Sequence, residues 1–378
     1  MARFPRLVVA ALLMALASPA VPAAQAADQG VVVATNSGLV RGTAQHDYRS
    51  FQGIPYAAPP VGELRWRDPQ PVTPWPGVRE ATAPGNPCPQ GPPAHLSGNE
   101  DCLYLDVTAP ARAERRPVVV WLHGGGFVSG SGSDYDPHRM VVTGGVVVVT
   151  INYRLGVFGN FGYSGLAGSG DFGLADQQAA LRWVRRNAAA FGGDPRNVTL
   201  AGQSAGGMSV CSQLTSPSAA GLFDKALIQS GSCLINYPKN LFWPGMPAGS
   251  PWTGRAATEA TGRQLAAQVG CDTLDCLRQK SATDLSAPKL PFDKPAYDTP
   301  LLPLEPATAL REGRYQRVPV LEGGNLDEHR GWAAVLNAQE PITPQRYRQL
   351  LADSFGDQAD LVAAAPPRLR ALPAGPPR

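Results

Sequence analysis

The sequence predicts an α/β fold with a mostly parallel central sheet and helices on both faces. Apolar, β-branched runs alternate with stretches of helical periodicity. A short strand turns sharply into a helix near residue 204, and a glycine run follows another buried strand near residue 123. With 43% hydrophobic and 17% charged residues, the chain has the composition of a globular protein with a large core. A net charge of +3, with acids and bases interspersed, does not indicate a nucleic-acid partner.

Each element of the first half has its own sequence signal. A hairpin is expected over 31–42 and a strand over 103–107. The runs PVVVWL (117–122) and VVVVTI (146–151) are continuously apolar, which is typical of strands buried on both faces. Apolar residues at helical spacing predict a helix over 173–190, and Gly192-Gly193-Asp194-Pro195 predicts the turn that ends it.

The second half continues the alternation of strands and helices. A β-branched run at 198–201 precedes small and apolar residues that allow a helix over 205–214. Residues 234–300 are Pro-rich and less regular. The remaining elements are expected at 226–229 (strand), 254–269 (helix) and 318–322 (strand).

The first 26 residues have the pattern of a secretory signal peptide. Arg3 and Arg6 give a positive start, and residues 7–16 form an apolar run too short to span a bilayer comfortably. Ala24-Gln25-Ala26 supplies the small residues of a cleavage site. We expect cleavage near Ala26 and a secreted product, with no later segment that would serve as a membrane anchor.

The segment Gly202-Gln203-Ser204-Ala205-Gly206 has the G-x-S-x-G pattern between a predicted strand and a predicted helix. A sharp strand-to-helix turn forces its middle residue into strained backbone geometry, so the neighbours must be small. The serine hydroxyl then projects above the sheet, in front of a helix N-terminus that stabilises negative charge. Ser204 is therefore the predicted covalent nucleophile.

A second motif, His123-Gly124-Gly125-Gly126-Phe127, directly follows the strand at 117–122. Acyl transfer passes through a tetrahedral oxyanion, which needs hydrogen-bond donors fixed in advance. We expect the backbone N–H groups of Gly125, Gly126 and Ala205 to supply them. We expect His123 to shape this loop by hydrogen bonding and not to act as a catalytic base.

Cofactors and metals are not indicated. Residues 168–173 (GSGDFG) match G-x-G-x-x-G, but a loop and not a strand precedes them, so we interpret them as a helix entrance and not as a dinucleotide site. The cysteine spacings do not resemble zinc motifs, and C-x-x-C does not occur.

The six cysteines are plausible disulfide partners in an exported chain. Several pairings are possible in principle. Proximity in sequence favours Cys88 with Cys102 and Cys271 with Cys276. The two cysteines that remain, Cys211 and Cys233, would form a third bridge or stay as buried thiols.

These motifs, together with several other segments, resemble the type-B carboxylesterases, an α/β-hydrolase family that also contains cholinesterases and neuroligins. The further segments are Gln52-Gly53-Ile54-Pro55-Tyr56-Ala57, Glu100-Asp101-Cys102-Leu103-Tyr104-Leu105, Asn152-Tyr153-Arg154-Leu155-Gly156, Asp176-Gln177-Gln178 and Gln229-Ser230-Gly231-Ser232. The resemblance, to a bacterial secreted member, runs from about residue 31 to 355. It implies a carboxylic ester hydrolase domain over 27–362, a small-molecule ester substrate, a Ser204 nucleophile and a Cys88–Cys102 bridge.

The resemblance also decides the acidic member of a catalytic triad. Glu322, Asp327 and Glu328 are nearly equal choices from the residues alone, because α/β-hydrolases place the acid after the serine in the chain. The segment resembles a family segment that ends in Asp-Glu, where Glu is the acid, and this implies Glu328. Asn152 and Arg154 match family positions in a buried polar network, so we expect them to be structural.

The triad histidine has no counterpart in the sequence. His329, the only histidine after Glu328, adjoins it and so cannot readily sit between it and Ser204. Residues 363–378 contain only Ala, Pro, Arg, Leu and Gly, a composition typical of a GC-rich gene read in a shifted frame. We therefore expect an α/β-hydrolase whose C-terminal part is missing, with little turnover.

Two other interpretations stay open at this point. One is a non-catalytic binding protein of the same fold, as neuroligins are, and the other is an inactive gene fragment. The intact serine and glycine loop argue against a pure binding protein. Residues 89–101 contain no Phe, Tyr or Trp that would hold a choline cation, so short acyl or aryl esters are the expected substrates.

Overall fold

The computed structural model describes residues 30–328, 330–336 and 342–364. The strands are β1 Val32–Thr35, β2 Gly38–Arg41, β3 Thr43–Ala44, β4 Tyr48–Pro55, β5 Val78–Glu80, β6 Tyr104–Pro110, β7 Arg116–Leu122, β8 Val147–Ile151, β9 Gly193–Gln203, β10 Lys225–Gln229, β11 Thr253–Gly254, β12 Ala296–Tyr297 and β13 Val320–Gly323. The helices are α1 His138–Gly144, α2 Gly156–Gly159, α3 Phe172–Asn187, α4 Ala205–Thr215, α5 Arg255–Gln268, α6 Leu274–Gln279, α7 Ala282–Ser286, α8 Pro306–Arg311, α9 Arg330–Leu336, α10 Pro344–Phe355 and α11 Ala359–Ala364. The predicted signal peptide, His329 and residues 365–378 of the predicted tail lie outside the described residues.

The main sheet has the strand order β13-β10-β9-β7-β8-β6-β4-β3 in the described chain. Neighbours from β13 to β8 run parallel, whereas β8, β6, β4 and β3 pair antiparallel. Helices cover both faces of this mixed sheet. The α/β class predicted from the sequence is confirmed, and the parallel half contains the strand that leads to Ser204.

The parallel strands form the centre of the hydrophobic core. Val118, Val120 and Leu122 of β7 are fully buried, and every residue of β8 is buried. Such runs stay apolar on both faces because helices exclude water from each side of the sheet. The continuous apolar pattern of 117–122 and 146–151 was therefore a sound prediction of buried strands.

The connection before β9 differs from the sequence prediction. Helix α3 ends at Asn187, and the strand begins at Gly193, within the segment that the sequence marked as a turn. Gly193 pairs with Arg116 of β7 across an irregularity in the register. Pairing with β7 thus extends the strand past the Gly-Asp-Pro signal that predicted a loop.

Residues 234–300 contain more structure than the single predicted helix. Helix α5 corresponds to that prediction, and α6 and α7 follow it. These elements pack around a second, smaller hydrophobic cluster that includes Phe161, Leu265 and Leu277.

The six cysteines form three bridges, Cys88–Cys102, Cys211–Cys233 and Cys271–Cys276. The first and last are the pairs that proximity favoured. The middle bridge answers the question that the sequence left open, because Cys211 and Cys233 are bonded to each other.

Strand β13 forms one of the two edges of the main sheet in the described residues, and β3 forms the other. Val320 and Leu321 on its two faces are 51% and 68% exposed, although a strand in a parallel sheet is usually buried on both sides. An open edge beside exposed apolar side chains favours association between chains.

Candidate active site

Ser204 occupies the sharp turn between β9 and α4. Its backbone angles are φ 55° and ψ −121°, a conformation that L-residues rarely adopt. Small neighbours make the turn possible: a Cβ on Gly202 would strike the carbonyl of Gly206, and a Cβ on Gly206 would strike the carbonyl oxygen of Leu122. Ser204 is partly exposed at the N-terminus of α4. This geometry is that of a nucleophile elbow.

The sheet register brings the glycine loop next to Ser204. Leu122 at the end of β7 pairs with Gly202 near the end of β9, so the two motifs leave the same sheet edge side by side. The ideal Cβ position on Gly124 lies 3.2 Å from the Cβ of Ser204. The two motifs singled out in the sequence thus form one site.

Three backbone N–H groups remain available at this site. Among the described residues, the amides of Gly125, Gly126 and Ala205 donate no hydrogen bond. Gly125 and Gly126 have φ values of 107° and 62°, which glycine adopts without a steric penalty. The amide of Ala205 is among the orphan donors at the start of α4. These groups are suited to hold the oxyanion of an acyl-transfer intermediate.

His123 fixes the shape of the glycine loop. Its Nδ1 lies 2.8 Å from the carbonyl oxygen of Gly124, so Nδ1 carries the proton and donates it. The ring stacks on Tyr153 with a centroid distance of 4.3 Å, and the Tyr153 hydroxyl donates to the His123 carbonyl at 2.7 Å. Burial lowers the pKa of His123 to about 4, which keeps the ring neutral at pH 7. A buried ring turned toward its own loop is a structural histidine.

A second brace of the loop had no sequence signal. The Gln90 side chain accepts from the Gly130 amide at 2.8 Å and donates to the Gly130 carbonyl at 3.1 Å. Gln90 lies within the segment closed by the Cys88–Cys102 bridge. The bridge thus fixes a residue that holds the end of the glycine loop.

Glu328 lies in the loop that follows β13, at the same sheet edge as Ser204. It is exposed, and its Oε1 accepts from the Asn325 amide at 2.5 Å. The structure therefore places the predicted acid at the sheet edge from which Ser204 projects, hydrogen-bonded within its own loop.

The described histidines with located contacts do not bond to Ser204: His123 is turned toward its own loop, and His138 lies elsewhere on the sheet. His138 packs against Tyr48 of β4, and its ring nitrogen lies 3.4 Å from the Asp47 carboxylate. Strand β4 is four positions from β9 in the sheet, which at the usual strand spacing separates the two strands by about 19 Å. No histidine in the described ranges hydrogen-bonds to the Ser204 hydroxyl.

Asn152 and Arg154 lie in a buried polar network behind the site. The Asn152 amide group accepts from the Ser131 hydroxyl at 3.0 Å and the Gly132 amide at 2.8 Å. Arg154 forms a two-pronged ion pair with Asp176, with contacts of 2.8 and 2.7 Å. Both residues stabilise loops at the carboxyl edge of the sheet, as the sequence comparison implied.

Metal sites and membrane-spanning helices are absent from residues 30–328, 330–336 and 342–364. In these ranges no cluster of three or more His, Cys, Asp or Glu side chains is arranged to hold a metal ion, and no helix has the length and apolar character to cross a bilayer. A cavity of about 380 Å³ lies at the far end of α4 from Ser204, lined by residues that include Leu214, Tyr315 and Gln316. That cavity is separate from the elbow.

An elbow serine beside a glycine loop at the carboxyl edge of this sheet defines an α/β-hydrolase. The sequence profile of the carboxylesterase family matches residues 29–365, and the chain belongs to that family.

Individual relatives agree with this assignment. The chain is 41% identical over 323 residues to a para-nitrobenzyl esterase of Bacillus subtilis. This alignment covers 79% of this chain and 63% of the relative. The chain is 36% identical over 372 residues to a fumonisin B1 esterase of Sphingopyxis macrogoltabida. This alignment covers 91% of this chain and 64% of the relative. A solved PNB esterase superposes with a TM-score of 0.72 at 37% identity, over 88% of this chain and 71% of that one. The chain thus spans a little under two thirds of the length of these curated relatives.

Proposed function

We propose that the chain cleaves small carboxylic esters through an acyl-enzyme intermediate on Ser204. The observation that carries the proposal is the strained turn that holds Ser204 beside the unpaired amides of the glycine loop. In the first step, the Ser204 oxygen adds to the carbonyl carbon, and the carbonyl oxygen takes the negative charge. Collapse expels the alcohol, which takes up the serine proton, and water then releases the acid.

The amides of Gly125, Gly126 and Ala205 would stabilise the negative oxygen. They are fixed before the reaction by the loop and helix backbone, so no reorganisation is needed as charge develops. Loss of one such donor typically costs about 2.7–4 kcal/mol of transition-state stabilisation. The partial positive charge at the start of α4 acts in the same direction.

We assign Glu328 the part of the triad acid, which would orient an imidazole and stabilise its charged form. Support comes from its position after β13 and from the order of serine and acid along the chain. Serine hydrolases that lack one triad member lose roughly 10⁴–10⁶ in rate and keep roughly 10³–10⁴ over water. With no histidine bonded to Ser204 in the described residues, we expect slow acylation and little turnover.

The proposed substrates are short acyl or aryl esters. Gln203, next to the nucleophile, is uncharged, and the loop between Cys88 and Cys102 has no Phe, Tyr or Trp for a quaternary cation. Two relatives are named as esterases of a para-nitrobenzyl compound and of fumonisin B1.

We also propose export of the chain, supported by the signal-peptide pattern and the three disulfides. An N-terminus other than the region of Ala27 on the secreted protein would contradict export by this signal.

The test is prolonged covalent labelling by an excess of a fluorophosphonate probe, which phosphonylates nucleophilic serines, so that slow acylation is also detected. We expect one adduct, on the peptide that contains Ser204, and none on a Ser204→Ala variant. Ser232→Ala is the matched control, because Ser232 follows β10 close to the elbow, and its hydroxyl accepts from the Leu234 amide. This variant should be labelled like the unaltered chain. Labelling of another serine, or of none, would contradict the proposal.

A further inference from the structure

The bridge between Cys211 and Cys233 joins the nucleophile helix to the loop that follows β10. Cys211 lies in the middle of α4 and is fully buried, and Cys233 is 5% exposed. Strand β10 neighbours β9 in the sheet, so its loop leaves the same edge as the elbow. A covalent link therefore connects the helix behind Ser204 to the adjacent loop.

Two further contacts fasten the same stretch of chain to α4. The Tyr237 hydroxyl lies 3.3 Å from the sulfur of Met208, and the Trp252 indole N–H donates to the Ser212 hydroxyl at 2.8 Å. Positions 208, 211 and 212 share one face of a helix. We call residues 230–252 the clamped segment, because all three contacts hold it along that face of α4.

The start of the clamped segment touches the backbone of Ser204. The Ser204 amide donates to the Gln229 carbonyl at 2.9 Å, at the end of β10. The ideal Cβ position on Gly231 lies 3.0 Å from the Ser204 carbonyl oxygen. A backbone conformation as rare as that of Ser204 persists only where the surroundings determine it from several sides. The clamped segment is one of those sides.

We propose that Cys211 and Cys233 are positioning residues, whose bridge holds the clamped segment against the elbow and thereby aligns the Ser204 hydroxyl with its amide donors. The inference rests on the proposed function, since it concerns the reactivity of Ser204. The bridge limits the positions that residues 230–233 can take. Without it, the loop that supports the elbow gains freedom, and Ser204 spends less time in the reactive geometry.

The chain contains a matched control for this effect. The bridge Cys271–Cys276 joins the loop after α5 to α6, within the second hydrophobic cluster and apart from α4. Its removal tests what the loss of a disulfide does to the protein in general. The difference between the two bridges isolates the contribution to Ser204.

The experiment compares Cys211→Ala/Cys233→Ala with Cys271→Ala/Cys276→Ala, using fluorophosphonate labelling at several probe concentrations. Circular dichroism gives the thermal midpoint of each variant, and labelling is measured well below the lower midpoint. We expect both variants to unfold at lower temperature. Only the first should label Ser204 more slowly, about ten- to a hundredfold in the maximal rate, with little change in the probe concentration at half-maximal rate. Equal maximal rates in the two variants would overturn the inference.

A second variant decides the matter if the first pair fails to fold. Trp252→Phe removes the indole donor to Ser212 and keeps the bridge, so the clamped segment is loosened without loss of the covalent link. We expect a several-fold slower labelling, and an unchanged maximal rate would overturn the inference. An unaltered chain that is not labelled on Ser204 at all would instead overturn the proposed function, and this inference with it.

Discussion

Replacement of Ser204 by glycine and by alanine measures the strain stored at the elbow. The angles of φ 55° and ψ −121° cost a non-glycine residue roughly 1–3 kcal/mol, whereas glycine adopts them with little penalty. Glycine loses roughly 0.5–1 kcal/mol more than alanine in backbone entropy on folding. The Ser204→Gly variant should therefore be at least as stable as Ser204→Ala, by roughly 0–2.5 kcal/mol, which departs from the usual order of these residues.

Urea unfolding of the two variants, followed by circular dichroism, gives the difference in the free energy of unfolding. The control is Ala257→Gly at an exposed position of α5, where glycine should cost about 1 kcal/mol relative to alanine. If Ser204→Ala proved more stable than Ser204→Gly by as much as alanine is at the control position, the elbow would carry no backbone strain. The turn would then not force the Ser204 hydroxyl to project from the sheet.

Two further perturbations test the packing and the electrostatics around the site. In Gly206→Ala, the new Cβ would meet the Leu122 carbonyl and lower the free energy of unfolding by about 1–3 kcal/mol. The control variant Gly144→Ala has no neighbour nearer than 3.8 Å to its new Cβ and should lose no stability. Equal losses of stability in urea unfolding of the two variants would contradict this. Burial raises the pKa of Asp171 from 3.8 to about 8, so the folded chain keeps a proton that the unfolded chain releases. The free energy of unfolding should therefore fall as pH rises between about 4 and 8, by up to about 1.4 kcal/mol per pH unit. Urea unfolding at several pH values should show a flatter slope for Asp171→Asn. Parallel slopes for the variant and the unaltered protein would contradict this.

The sequence predicted best where physical demands are local. β7 and β8 could be predicted because burial on both faces requires unbroken apolar runs. β4 was missed because a bulge between Phe51 and Ile54 interrupts its pattern, with Gly53 at φ 70°. There the Gly53 amide donates to Asp106 at 2.8 Å, a contact that only the folded chain reveals.

At the candidate site, too, the sequence predicted the residues with local demands and missed those that depend on contacts between distant segments. Ser204 and the glycine loop could be identified from sequence because the elbow and the oxyanion donors need small residues at fixed spacing. Gln90 could not, because its bonds to Gly130 depend on how the segment closed by the Cys88–Cys102 bridge packs. The choice of Glu328 over its acidic neighbours rested on family resemblance, since the residues alone did not separate them.

The most direct test of the central claim is to trap the acyl group itself. The chain is mixed with an activated aryl acetate, quenched in acid before deacylation, digested and examined by mass spectrometry. The account predicts one added acetyl group on the peptide that contains Ser204, and its absence in Ser204→Ala. An acetyl group on another residue with Ser204 unmodified, while the aryl alcohol is released in amounts equal to the protein, would contradict it.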